Sequence, residues 1–198
     1  MRKVVLALLL VALAASPAAA FDPTRTFAKG STVLSVEGGA GSQDNLEGHH
    51  NQTGLDLWYL GARYSLLPLA PAGPRGLRGS LEVGLEPIVQ QYTGPVSAYY
   101  AGLMAQARWH FLSLGRLVPY FEGGAAAGGT NLRAIEIDST FAFLLNFGAG
   151  ASFFITDRTA VYAGYRMVHI SNGNVDTPNR GFEAHTGVVG VSYYFGKQ

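Results

Sequence analysis

The chain contains no cysteine in 198 residues, so no disulfide framework can hold it. Charge is scarce as well: Asp, Glu, Lys and Arg make up 14% of the residues, against roughly 25% in ordinary globular chains. No basic excess points to nucleic acid. Lys and Arg number 14, and two of them, Arg2 and Lys3, lie in an N-terminal export segment; the remaining 12 face 13 acidic residues. After that segment there is no run of about eighteen uncharged apolar residues, so a helical membrane span is not indicated. The nearest approach, residues 141–155, is interrupted by Asn146, Gly148 and Gly150. A fold too apolar for water, with no membrane helix, must satisfy its backbone between strands. In a membrane that requires a closed barrel.

The first twenty residues read as a secretory signal peptide. Arg2 and Lys3 precede an apolar stretch, and Ala18-Ala19-Ala20 offers a small-residue cleavage site. Residues 21–198 then form one domain, an outer-membrane β-barrel. A short polar leader, 21–30, is followed by segments alternating apolar and polar residues with a period of two. These are 31–42, 54–67, 79–92, 96–112, 116–128, 140–155, 158–171 and 182–195.

The expected fold is all-β: an eight-stranded antiparallel transmembrane β-barrel. Aromatic residues at 12% and 26 glycines fit strands with one lipid-facing and one crowded face. Arg63, Glu82, Glu86, Arg108, Glu122, Arg158 and Arg166 share the polar parity. An eight-stranded barrel is filled by such side chains and leaves no channel. A soluble lipocalin-like barrel would invert the faces; the low charge and the aromatic-rich apolar parity favour the membrane form.

Even-stranded outer-membrane barrels begin and end in the periplasm and carry their longer loops outside. The connections after strands one, five and seven are therefore extracellular, and the short turns after four and six periplasmic. The connection at 68–78 is long for a periplasmic turn, and the break at 93–95 is short for an outer loop.

The chemistry gathers in the last two strands. In 165–171, His169 and Ser171 share parity with Val161 and Met167, the lipid-facing set, and opposite Tyr162 and Arg166. In the final strand, Glu183 shares parity with Val189, Val191, Tyr193 and Phe195, again outward. Imidazole, hydroxyl and carboxylate thus converge on one outward patch near the outer rim. Those three groups supply a base, a nucleophile and an orienting carboxylate for acyl transfer. The bland reading is a set of rim residues meeting headgroups.

The run His169-Ile170-Ser171-Asn172, followed by Pro178-Asn179-Arg180-Gly181-Phe182-Glu183, resembles the lipid A 3-O-deacylases of the PagL type, in the acyloxyacyl-hydrolase-like group of outer-membrane barrels. The resemblance implies Ser171 as nucleophile, His169 as general base and Glu183 as its orienting carboxylate. It assigns Asn172 to the oxyanion hole, with Asn179 in support. The family's second oxyanion contributor is a glycine, and that position is Asn174 here, with Gly173 just before it.

The implied reaction removes an ester-linked 3-hydroxyacyl chain from lipid A of lipopolysaccharide in the outer leaflet of the bacterial outer membrane. Val161, Tyr165, Met167 and Val191 lie on the face that would guide the acyl chain. Two rivals stand beside it: a non-enzymatic structural or binding barrel, and an esterase acting on phospholipid. No cofactor and no metal is expected, since Asp44, Glu47, His49 and His50 lack a ligand spacing and read as a solvated loop. His185, on the same face as Glu183, reads as a headgroup contact, and His110 as an interior or rim residue. A homodimer remains open as a partner state.

Overall fold

The computed structural model describes residues 21–46, 51–74 and 76–196. Residues 1–20, expected from sequence to be a signal peptide, and Glu47, His49 and His50 lie outside the described residues. Eight antiparallel strands close into a barrel in sequence order. They are β1 (Thr32–Gln43), β2 (Asp56–Leu66), β3 (Gly79–Gly94), β4 (Ala98–Phe111), β5 (Leu117–Thr130), β6 (Phe141–Phe154), β7 (Thr159–Ser171) and β8 (Phe182–Phe195). Closure comes from β1 against β8, running from Thr32 opposite Phe195 to Gln43 opposite Ala184. Because the ring closes, none of the eight strands presents a free sheet edge to lipid.

The alternation expected from sequence is the alternation of burial. In β2 every second residue is buried, namely Leu57, Tyr59, Gly61, Arg63 and Ser65, while Trp58, Leu60 and Tyr64 face outward. The outward set forms an apolar belt that includes Val36, Leu85, Leu103, Phe147 and Val189. Aromatics mark both rims: Trp58, Tyr99, Phe141 and Phe143 above, Tyr64, Phe153, Tyr193 and Phe195 below. Such girdles sit where hydrocarbon meets headgroup.

The interior is packed with charge. The Arg166 guanidinium stands 2.7 Å from Glu37 and 2.9 Å from Glu122. Arg63 reaches Glu86 at 2.9 Å, Glu37 at 3.2 Å and Glu82 at 3.3 Å. Arg108 pairs with Glu122 at 2.7 Å, and its guanidinium lies 4.0 Å from the Tyr120 ring centroid. His110, fully buried, meets Glu82 at 2.7 Å. Buried charges survive only when paired, and the network pairs each guanidinium with at least one carboxylate. Gly61 is part of that packing, because a Cβ there would run into the Glu86 carboxylate.

Two details differ from what the sequence predicts. Arg158 is not an interior residue; it is exposed in the turn before β7, beyond the last rung of the ladder. The leader at 21–30 is not merely polar. It forms a one-turn helix, α1 (Pro23–Thr26), with the Asp22 side chain accepting from the Thr24 N–H at 2.9 Å. Phe27, just after it, is fully buried against His110, Tyr194 and Phe154, with ring centroids 5.0, 5.2 and 5.7 Å away, and closes the lower end of the barrel. The connection at 67–78 is indeed long, and it folds back on itself through a bridge between Ala72 and Gly79.

Above the barrel, residues 44–46 and 51–55 join the loops at 131–140 and 172–181 in a cap. Ile137 bridges Asn179, and the Arg180 and Gly181 N–H groups donate to the Glu136 carbonyl at 2.8 and 3.2 Å. Leu55, Leu132, Ile137 and Phe182 are buried beneath it. The cap fixes the loops that flank the upper ends of β7 and β8.

Candidate active site

Strands β7 and β8 are joined by a hairpin whose register places His169 directly opposite Glu183. Directly opposed residues carry their Cβ atoms about 4.5–5.5 Å apart, close enough for side-chain contact. The contact is made: His169 Nδ1 lies 2.7 Å from Glu183 Oε1. A carboxylate there sets the proton on Nδ1 and leaves Nε2 free to accept one. Ser171 follows two residues later on the same strand face, opposite Phe143 of β6. All three side chains are partly exposed on the outer wall, at the upper rim. Among the described residues, the Ser171 hydroxyl makes no hydrogen bond.

Glu183 is held from its far side. Its Oε2 accepts from the Leu46 N–H at 3.2 Å, its own N–H donates to Asn45 Oδ1 at 3.3 Å, and its carbonyl accepts from the Asp44 N–H at 3.0 Å. Gly181 lies against the imidazole: a Cβ there would stand 2.9 Å from His169 Cε1 and 3.3 Å from Nε2. Its φ of +67° belongs to the left-handed region, which glycine enters without cost.

The three asparagines form a closed hydrogen-bonded ring. The Asn172 N–H donates to Asn179 Oδ1 at 2.8 Å, Asn179 Nδ2 to Asn174 Oδ1 at 2.9 Å, and the Asn174 N–H to Asn172 Oδ1 at 2.9 Å. Asn172 is fully buried, and its Nδ2 donates to the Asp176 carbonyl at 3.0 Å. Gly173 and Asn174 both have positive φ, 67° and 64°. Asparagine is among the few side chains that tolerate this region, so it can occupy a place where the resembling family has glycine while keeping the turn. Among the described residues, the Gly173 N–H has no hydrogen-bond partner.

Below Glu183, His185 pairs through Nδ1 with the Tyr165 hydroxyl, and its Nε2 lies 3.9 Å from Asp44 Oδ2. Met167 stands opposite His185 on β7. Tyr165, Val161 and Val191 are exposed on the same wall. Gln43, Asn45 and Glu136, which support the His169–Glu183 pair, carry no motif in the sequence. Glu136, between Ile135 and Ile137 in a loop taken as polar, left a signal only in those flanking isoleucines.

A family model described as lipid A 3-O-deacylase (PagL) matches residues 58–192, from β2 to β8 and including His169, Ser171 and Glu183. The chain belongs to the lipid A 3-O-deacylase family. Members of this PagL family are ester hydrolases, so the protein is an outer-membrane enzyme whose substrate is lipid A. The barrel is similar to the crystal structure of the outer membrane enzyme PagL, with a TM-score of 0.62 at 16% identity over 79% of this chain and 97% of that one. It is also similar to Neisserial surface protein A, NspA, with a TM-score of 0.59 at 13% identity over 83% and 99%. At such identities both likenesses concern the barrel alone. Comparison with curated protein sequences returns no match.

Proposed function

We propose that this deacylase removes an ester-linked 3-hydroxyacyl chain from lipid A with Ser171 as nucleophile, His169 as general base and Glu183 as the orienting carboxylate. The observation that carries the reading is the 2.7 Å contact between His169 and Glu183, with Ser171 on the same outward face. Ser171 Oγ attacks the ester carbonyl carbon and passes its proton to His169 Nε2, while Glu183 stabilises the imidazolium. The tetrahedral oxyanion takes hydrogen bonds from the Gly173 N–H and from Asn174 Nδ2. Asn172, which the resemblance put in the oxyanion hole, has its N–H and Nδ2 committed to Asn179 Oδ1 and the Asp176 carbonyl and so joins Asn179 in supporting the turn. Collapse breaks the bond to the sugar oxygen, which leaves as an alcohol with the proton held on His169. Water then attacks the acyl-serine, with His169 again as base, and releases the 3-hydroxy fatty acid.

A site on the outer wall reaches an ester of a membrane-anchored lipid without extracting it. Being at the rim, it also admits water for the second half-reaction. Tyr165, Val161, Met167 and Val191 line the wall along which the acyl chain lies. Mass spectrometry of lipid A from cells expressing the protein tests the reading. Loss of one ester-linked 3-hydroxyacyl chain supports it. Loss of a different acyl chain would move the cut to another ester, and unchanged lipid A would overturn the reading.

A further inference from the structure

Glu136 lies outside the proposed triad and the asparagine ring, yet it is fully buried in the cap, in the middle of the 131–140 loop. A buried carboxylate is costly unless every oxygen is satisfied. Here Oε1 accepts from the Thr53 N–H at 2.7 Å and from Gln43 Nε2 at 2.8 Å, and Oε2 accepts from Thr53 Oγ1 at 2.6 Å. All three donors belong to the end of β1 and the loop that follows it.

That loop holds Glu183. Gln43 Nε2 also donates to Asn45 Oδ1 at 3.1 Å, and its Oε1 accepts from the Gly54 and Leu55 N–H groups at 2.8 and 3.0 Å. Asn45 in turn accepts the Glu183 N–H, and the next residue, Leu46, donates to the Glu183 carboxylate. The Glu136 backbone carbonyl meanwhile accepts from Arg180 and Gly181, and Gly181 is the residue packed on the His169 ring. One residue is therefore joined to both halves of the His169–Glu183 pair, by its side chain to one and by its backbone to the other.

We infer that Glu136 is a positioning residue, whose carboxylate fixes the 43–46 segment against Glu183 while its carbonyl fixes Gly181 against His169. The inference rests on the triad reading above. A glutamine at 136 would keep the volume but present an N–H to donors, so that the Thr53 or Gln43 contact opens. The Leu46 N–H would then no longer be held on Glu183. Errors of about 1 Å at a reacting group cost on the order of 100-fold in rate.

The test uses the full barrel refolded in detergent micelles containing lipid A, with Glu136→Gln, Thr53→Val and the exchange variant Glu136→Gln/Gln43→Glu. Steady-state kcat and KM are measured together with hydrogen–deuterium exchange of residues 44–46. Glu136→Gln is expected to lower kcat by about 10- to 100-fold with KM within about twofold. Exchange at the Leu46 amide should quicken by about tenfold or more while strands β2–β6 stay protected. Thr53→Val moves both readouts the same way by less, and the exchange variant recovers part of each. Wild-type kcat, unaltered Leu46 exchange, or protection lost throughout the barrel would overturn the assignment. Ser171→Ala, assayed alongside, separates the two readings. If it still hydrolyses lipid A the triad falls, whereas the exchange data decide independently whether Glu136 holds the loop.

Discussion

The backbone of Gly181 lies against the imidazole of His169, close enough that a single added methyl would meet two ring atoms. The contact explains why the turn entering β8 carries glycine at a φ of +67°. Gly181→Ala should therefore displace the imidazole as well as strain the turn. A fall in kcat on the order of 100-fold is expected, with the barrel still folded by its heat-modifiable mobility on a gel. Wild-type kcat in that variant would show that the ring has room to move.

Arg166 joins Glu37 and Glu122 in the centre of the barrel and also donates to the Tyr59 hydroxyl at 3.2 Å. Replacing it by methionine leaves two buried carboxylates short of a partner. A loss of about 3–5 kcal/mol in urea unfolding from vesicles is expected. Arg158→Met, at an exposed turn position, should fall within about 0.5 kcal/mol of the parent. Equal effects of the two substitutions would contradict the interior network.

Phe27 plugs the lower end of the barrel although it lies outside every strand. Phe27→Ala opens a cavity between His110, Tyr194 and Phe154, and should cost about 3–5 kcal/mol. Activity per folded molecule should be unchanged, because the site is at the opposite rim. A variant as stable as the parent would mean that the leader merely rests on the barrel.

Glu136 makes the cap sensitive to acid. Burial raises its pKa, but the hydrogen bonds from Thr53 and Gln43 outweigh burial and hold the carboxyl below the usual carboxylate range. With the folded value depressed, its contribution to cap stability is complete above the ordinary carboxylate value and is lost as pH falls through the folded value. Leu46 amide protection should weaken over that acid window, and Glu136→Gln should flatten the dependence. Protection that grows on acidification would reverse the sign and refute the assignment.

The barrel was legible because a period of two repeats through eight segments, and because closure leaves each strand face a single environment. Of the candidate site, parity in the sequence puts His169, Ser171 and Glu183 on the outward face near one rim, and the hairpin register in the structure adds the contact between His169 and Glu183. Glu136 was not, since its partners come from a loop more than eighty residues earlier and depend on cap packing rather than on any periodic signal. The plug at Phe27 escaped because one turn of helix is too short to show a period. Arg158 was misplaced by parity extended one residue past the end of its strand, where pairing no longer dictates which way a side chain points.

In the proposed mechanism Ser171, activated by the His169–Glu183 pair, cleaves the lipid A ester. The most direct measurement is single-turnover hydrolysis of lipid A by the purified parent, Ser171→Ala and His169→Ala barrels, with products followed by mass spectrometry. The parent should release a 3-hydroxy fatty acid, and each variant should lose about 1,000-fold or more in rate, since members of such a unit fail together. Undiminished release by Ser171→Ala would contradict the claim.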